Sequence, residues 1–440
     1  MTLSGWGRYP RIDAKLTVPR SEEELRALVL RGHAIARGNG RAYGDSALSA
    51  QNTIHMRHFN RILSFDAEQG RLVAEAGVLL ADLIDAFLPR GWFPYVTPGT
   101  KFVTLGGMIA ADVHGKNHQK DGSFGSCVDW IDVLVSDGSV QRCSRTENTE
   151  LFEWTVGGMG LTGIVLRAAI RLRLVTSAWI EQRTLVAENI SHAIELFEHS
   201  QDATYSVAWI DCLQQGKSMG RSLVMLGEHA DAEAVPSQYR KTPLHISPKR
   251  KLSIPVEFPS WALNSLSVRA FNALYYCNGQ RKRGQKLVDL DSYFYPLDAI
   301  LGWNKIYGRR GFAQFQCVLP LQSSDEGLRA LLTAIASAGA GSFLAVLKRF
   351  GAQASRFSFP MEGYTLALDF PVNKKTLALM ERLDGITVEH GGRFYLAKDS
   401  RMSRDVFQQS EPRAHDYLLF REVRCVKNAF ASAQSERLGL

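Results

Sequence analysis

The amino-acid sequence predicts an α+β fold of two domains, the first completed by the C-terminal end of the chain. Three observations carry this. With 440 residues, 45% of them hydrophobic and 22% charged, the chain has a globular composition and is too long for one ordinary core. Glycines cluster in the first 170 residues or so, between short apolar runs, and thin out beyond residue 180. There, long β-branched and aromatic runs alternate with helical ones, the pattern of an antiparallel sheet backed by helices. A boundary at residue 178 gives domains over 1–178 and 179–390. Residues 391–440 then return to the first domain, because GGRFYLAKDSRMS restores its glycine and charge density.

In chain order, SEEELRALVLR at 21–31 predicts a helix with Ser21 as N-cap and Glu24 completing a capping box. HAIARG predicts a strand running into the glycine bend RGNGRAYGD. The short apolar runs NTIHM and RILSFDAEQGRLVAEAG follow, then a helix from Leu80 to Pro89 and the turn-rich VTPGT. WIDVLVSDGSVQRC predicts a hairpin turning at Asp137 and Gly138. Further on, YSVAWIDCL, FAQFQCVLPL and YTLALDFPV predict strands, while ISHAIELFEHS, EGLRALLTAIASA and KKTLALMERLDG predict helices.

Composition also narrows the function. The start MTLSGWGRYPRIDAKL has no apolar h-region, and no run of about 18 apolar residues occurs, so a cytoplasmic chain without a spanning helix is expected. Six scattered cysteines without a CxxC pair read as reduced thiols, not as a zinc ribbon or a disulfide scaffold. Charge is uneven: residues 239–286 hold ten Lys or Arg and one acid, Glu257, a net +9 against +8 for the whole chain. That segment also carries LSIPVEFPSWALNSL and FNALYYC, a mixture that suits an anionic membrane surface better than nucleic acid. A solvated loop is the plainer alternative.

Glycine bends after strands let backbone N–H groups approach a phosphate. Gly38, Gly40 and Gly44 fail the dinucleotide spacing GxGxxG, and no P-loop is present. Four separate glycine clusters within about 130 residues fit several loops converging on one extended diphosphate, though each cluster alone could be a tight turn. His114 and His118 in HGKNH are four apart, but the intervening glycine and asparagine disfavour a helix, and no metal is expected.

Together RGNGRAYGD, TPGTKFVTLGGMIAADVHGKNH, GSFGSCVDWIDVLVSDG and TVGGMGLTGIV resemble the flavin domain of the vanillyl-alcohol-oxidase-type FAD oxidoreductases. With SGWGRYP, YSVAWIDC, YPLD, FAQFQCVLP, LDFPV and GGRFYLAKDSR, the chain is similar almost end to end to the decaprenylphosphoryl-ribose 2-oxidase family within that group. The resemblance implies noncovalent FAD. It places Gly38, Asn39, Gly40, Arg41, Tyr43 and Gly44 on the diphosphate, Thr97, Pro98, Gly99, Thr104, Leu105, Gly106 and Gly107 along it, and Gly122, Ser123, Phe124 and Gly125 nearby. Gly157, Gly163 and Ile164 would lie by the adenine.

It further implies oxidation of the C2 hydroxyl of a polyprenyl-phosphoryl-β-D-ribose by an enzyme peripheral on the inner membrane, with an NAD(P)-dependent keto-reductase as partner. Lys398 would supply charge beside the flavin and grip the hydroxyl, with His114 and Lys116 over the reactive face. Tyr395, Gln314, Gln316 and Lys348 would shape the sugar pocket. Ala367 stands where mycobacterial members carry the cysteine that nitroaromatic inhibitors capture. RCVKNAFASAQSERL departs from the family where relatives have a Pro-containing turn. The rival within enzymes is a soluble alditol or aldonolactone oxidase on the same fold; the rival outside them is a basic nucleic-acid-binding protein, disfavoured because no such motif accompanies the charge.

Overall fold

A computed structural model describes residues 1–246, 252–258 and 265–440. Lys249, Arg250 and Lys251 of the basic segment, and most of its WALNSL stretch, lie outside the described residues.

The N-terminal half builds two sheets. The strands Leu16–Thr17, Asn52–His55 and Ala34–Arg37 form a small parallel sheet in that order, and the bend RGNGRAYGD leaves it directly after Arg37. An antiparallel sheet of six strands runs Val140–Ser144, Val128–Leu134, Ile164–Leu174, Arg71–Glu75 and Ile62–Asp66, with Trp92–Pro94 on the far end of Ile164–Leu174. The hairpin turns at Asp137 and Gly138: Gly138 takes φ +81° and the Asp137 carboxylate accepts from Ser139 N. In the helix Glu22–Val29 the Ser21 hydroxyl accepts from Glu24 N, but the Glu24 carboxylate reaches past Ser21 to Arg20 N, so the capping box is one residue longer than expected.

Ile164–Leu174 is the last strand of this sheet, and Trp179–Ala187 joins the second. Eight antiparallel strands follow the order Gly284–Asp289, Trp179–Ala187, Ser222–His229, Tyr205–Ile210, Ala345–Phe350, Gly363–Pro371, Phe312–Pro320 and Arg393–Phe394. Alternation sorts the side chains of these strands. Ile210, Phe315, Cys317, Leu347, Leu366 and Leu368 share a core with Leu328, Leu331, Leu332 and Leu383 of the helices Ser324–Ala338 and Lys374–Glu389. Their neighbours Trp209, Gln314, Gln316, Val346, Lys348, Thr365 and Ala367 face a cavity.

The C-terminal stretch serves both sheets. Arg393–Phe394 still belongs to the eight-stranded sheet, pairing with Val318 and Cys317, so the crossing back begins only at Tyr395. From there Ala397 O accepts from Tyr43 N, and Phe430 bridges to Ala34 of the parallel sheet. Arg437 fastens this return by pairing with both Asp45 and Asp399 at 2.8 Å, tying the end of RGNGRAYGD to AKDSR.

Candidate active site

One cavity of about 640 Å³ lies between the glycine-rich loops and the inner face of the eight-stranded sheet. Its size suits a large organic ligand. Its first wall is built from Gly38, Asn39, Gly40, Arg41, Tyr43, Pro98, Gly99, Thr104, Gly106, Gly107 and Gly163. The backbone N–H groups of Gly38 to Ala42 donate to no protein acceptor among the described residues. Five consecutive residues that line a cavity with their N–H donors unspent are suited to cradle an anion. Gly38 has no room for a side chain, since a Cβ would lie 2.2 Å from Thr104 Oγ1, and Gly40 holds φ +65°. Arg41 stacks its guanidinium on Trp6, 4.2 Å from the ring centroid, while Arg37 turns away to donate to Ser4 O.

Other residues expected on the cofactor stand behind this wall. Gly122, Ser123, Phe124 and Gly125 do not line the cavity, and their N–H groups are already spent on His118 O, Gln353 Oε1, Val113 O and Asp112 Oδ1. They brace the buried Asp112 instead, whose carboxylate also accepts from Ser123 Oγ and Gln353 Nε2. Gly157 donates to Ile109 O and lies against Ser358; Gly44 packs on Asp399 O. Thr97 shares a hydrogen bond with Tyr295 OH, and Leu105 and Ile164 are fully buried in apolar cores.

The same cavity brings the expected catalytic and substrate residues together. Lys398, His114, Lys116, Gln314, Gln316, Lys348, Ala367 and Tyr395 all line the cavity. Lys398 does not pair with Asp399, which accepts from Arg437 and from the backbone of Arg401 and Met402. Its Nζ lies 3.8 Å from the centroid of the Tyr43 ring. His114 has its acceptor nitrogen taken: Gln316 Nε2 approaches Nε2 at 3.0 Å, and burial with the charge of Lys348 holds the imidazole well below its ordinary pKa. It is a neutral brace for Gln316, which also donates to Thr365 Oγ1. Tyr395 packs on His114 and donates to Ala111 O at 3.0 Å. Burial and the charge of Lys348 bring Lys116 down to about 7, and its Nζ donates to Tyr293 O. Burial brings Lys348 down to about 8.

Sequence reasoning missed Asp369. It is 1% exposed, accepts from Gln314 Nε2 at 2.5 Å and from Tyr307 OH at 3.4 Å, and its charge raises the pKa of Lys398, which burial lowers. Burial raises the Asp369 carboxyl in turn. The signal was available: once Ala367 is placed on the site face of TLALDFPV, period-2 alternation puts Thr365 and Asp369 there too.

A family model described as an FAD binding domain matches residues 14–144. Over its full length the chain is 35% identical to the decaprenylphosphoryl-beta-D-ribose oxidase of Mycolicibacterium smegmatis, covering 97% of that protein. The chain belongs to the decaprenylphosphoryl-ribose oxidase family. It is also 30% identical to bovine L-gulonolactone oxidase, but over only 35% of this chain and 36% of that one. Members of this family are FAD-dependent oxidoreductases acting on a sugar CH–OH group, and so is this protein. The first wall fits the cofactor: Gly38 to Ala42 would hold the diphosphate and Gly99 leaves its surroundings open, with nothing within 4 Å of a Cβ placed there.

Proposed function

We propose that the protein oxidises the C2 hydroxyl of a polyprenyl-phosphoryl-β-D-ribose to the 2-keto sugar. The observation that supports this best is the cavity of about 640 Å³ that gathers Lys398, Gln314 and Gln316 with the glycine-rich loop, in a chain similar end to end to an oxidase of that name. Bound FAD supplies the hydride acceptor. Lys398 holds positive charge where negative charge develops and grips the hydroxyl oxygen, with Tyr43 beneath its ammonium. Gln314 ties Tyr43 OH to Asp369, at 3.3 and 2.5 Å, so that both neighbours of Lys398 are fixed before substrate arrives. Gln316, held by His114 and Thr365, presents its amide to the sugar. Tyr395 and Met159 also line the cavity.

An NAD(P)-dependent keto-reductase then takes the 2-keto product, completing inversion at C2 to an arabinose donor. The enzyme works at the inner face of an anionic membrane; among the described residues no helix is long and apolar enough to cross one. Anaerobic mixing with farnesylphosphoryl-β-D-ribose tests the reading. The flavin absorbance should bleach, and borodeuteride should trap deuterium at C2. Bleaching by free alditols or aldonolactones, with none from the phosphorylated probe, would replace this reading by the soluble sugar oxidase.

A further inference from the structure

We propose that Lys348, with Lys116, forms an anion subsite that binds the phosphate joining the sugar to its prenyl chain. The inference rests on the substrate class just given and names the part of the cavity that would read its charge.

Crossing the cavity face of the eight-stranded sheet, the lining changes character strand by strand. Phe312–Pro320 and Gly363–Pro371 contribute Gln314, Gln316 and Thr365, a polar half. Tyr205–Ile210 and Ser222–His229 contribute Trp209 and Met225, with Tyr275 beyond them, an apolar half. Ala345–Phe350 is the strand between the halves, and Lys348 is its charged residue on the cavity face. In a prenyl-phosphoryl sugar the phosphate likewise stands between a polyol and a hydrocarbon. The order of groups along the ligand matches the order of strands across the sheet.

Pairing on that strand makes the same point. Arg349, one residue on and turned to the other face, is held by Glu198 at 2.9 Å and Glu362 at 3.1 Å. Lys348 has no hydrogen-bond or ion-pair partner among the described residues. An ammonium with three unspent donors in an enclosed site is costly unless an anion completes it. Lys116 spends one donor on Tyr293 O and lies 4.1 Å from the Tyr293 ring, leaving donors for a second oxygen. The charge of Lys348 reaches Lys116, His114 and His118, and Lys398 as well, so these groups share one cavity. Within it, register sets Lys348 beside Thr365, four residues along the strand from Asp369, about 13 Å at the rise of an extended strand. The cofactor's diphosphate has its own donors at Gly38 to Ala42.

The test compares three probes on the FAD-loaded enzyme: farnesylphosphoryl-β-D-ribose, the neutral farnesyl β-D-riboside, and farnesyl monophosphate, which has no sugar to oxidise. Lys348→Met should raise the dissociation constant of both phosphorylated probes by about 10- to 100-fold, the scale of charge-assisted hydrogen bonds, and shift the neutral riboside far less. Lys348→Arg should restore most of the loss. Equal weakening of charged and neutral probes, or unaltered binding of the charged ones, would overturn the subsite. Should neither sugar probe bleach the flavin of the unaltered enzyme, the oxidase reading fails by itself; calorimetry with farnesyl monophosphate on Lys348 and Lys348→Met proteins still decides the subsite, a loss supporting it and no change refuting it.

Discussion

Lys398 and Asp369 show how far a single side chain's role depends on what surrounds it. In the bare sequence Lys398 stands beside Asp399, and an exposed ion pair is the ordinary reading of that dipeptide. The chain instead spends Asp399 on Arg437 and on backbone N–H groups, which frees the lysine for the cavity. Removing a preorganised charge costs about 100-fold or more in rate, so Lys398→Ala should retain FAD yet lose flavin reduction on that scale in anaerobic stopped flow. The pH dependence follows from the same environment. Burial lowers Lys398 and the Asp369 charge raises it. The proton on Lys398 is therefore lost below the pH at which a free lysine loses it, and flavin reduction should fall on the alkaline side. Asp369→Asn removes the raising charge and should move that alkaline limb to lower pH, a displacement that a merely structural role for Asp369 would not produce.

Lys348 gives a stability prediction of definite sign. Its pKa stands at about 8 in the fold, below the 10.5 of an ordinary lysine, because burial penalises its charge. Between those values the unfolded chain binds more protons, so this lysine makes stability rise with pH across the window, and its full cost is present below pH 8. Lys348→Met should therefore raise Tm most at pH 7 and hardly at all above pH 10.5, read by calorimetry without substrate.

The strands and helices were legible where one period ran long enough. FAQFQCVLP, ALDFP and the two long helices behind them need no partner to be recognised, because alternation or the 3.6-residue repeat marks the buried face. Glycine was the ambiguous letter. Gly38 and Gly122 look alike in sequence, but Gly38 sits with unspent N–H groups against the cavity, whereas Gly122 takes φ +72° and donates to His118 O. A glycine kept for its backbone conformation cannot be told by composition from one kept for a ligand. The distinction is testable. Gly38→Val would press its Cβ into Thr104, so purified protein should lose its bound flavin, seen as a lower ratio of 450 to 280 nm absorbance. Acid precipitation of the unaltered protein should release the flavin into the supernatant, the outcome expected of noncovalent attachment, and colour retained in the pellet would refute it. Ala367 carries the complementary expectation: it lies between Gln316 and Val346 in the ladder on the cavity face. Nitroaromatic inhibitors should leave no mass adduct, and Ala367→Cys should introduce one.

The two sheets, the return segment and the cavity between them leave one surface unexplained by internal packing. The helix Ser265–Arg281 has 17 residues but buries only Val268, Asn272 and Tyr276, one narrow stripe at four-residue spacing. Its other faces present Leu266 at 77% exposure and Leu274 at 73%, with Phe271 and Tyr275 beside them. Leu252, Val256, Phe258 and Leu301 are exposed apolar side chains of the neighbouring sequence segments. Arg269, Arg281, Lys282, Arg283 and Lys286, all exposed, are interspersed with or border it. A helix that exposes apolar side chains among basic ones suits an interfacial element, and each such charge contributes about 1 kcal/mol near anionic lipid. Tyr275 also lines the cavity, so this helix links the apolar half of the site to the surface that would meet the bilayer, and a prenyl chain could enter without leaving its solvent. Sedimentation with vesicles containing anionic lipid should therefore show binding at low salt that weakens as salt rises. Neutralising Arg281, Lys282 and Arg283 should lower the binding at low salt and flatten its salt dependence, and Leu266→Ser with Leu274→Ser should remove the salt-resistant remainder while flavin content stays unchanged. Equal binding to neutral and anionic vesicles would assign the attachment to the apolar face alone; no binding at low salt would leave this surface without a membrane role.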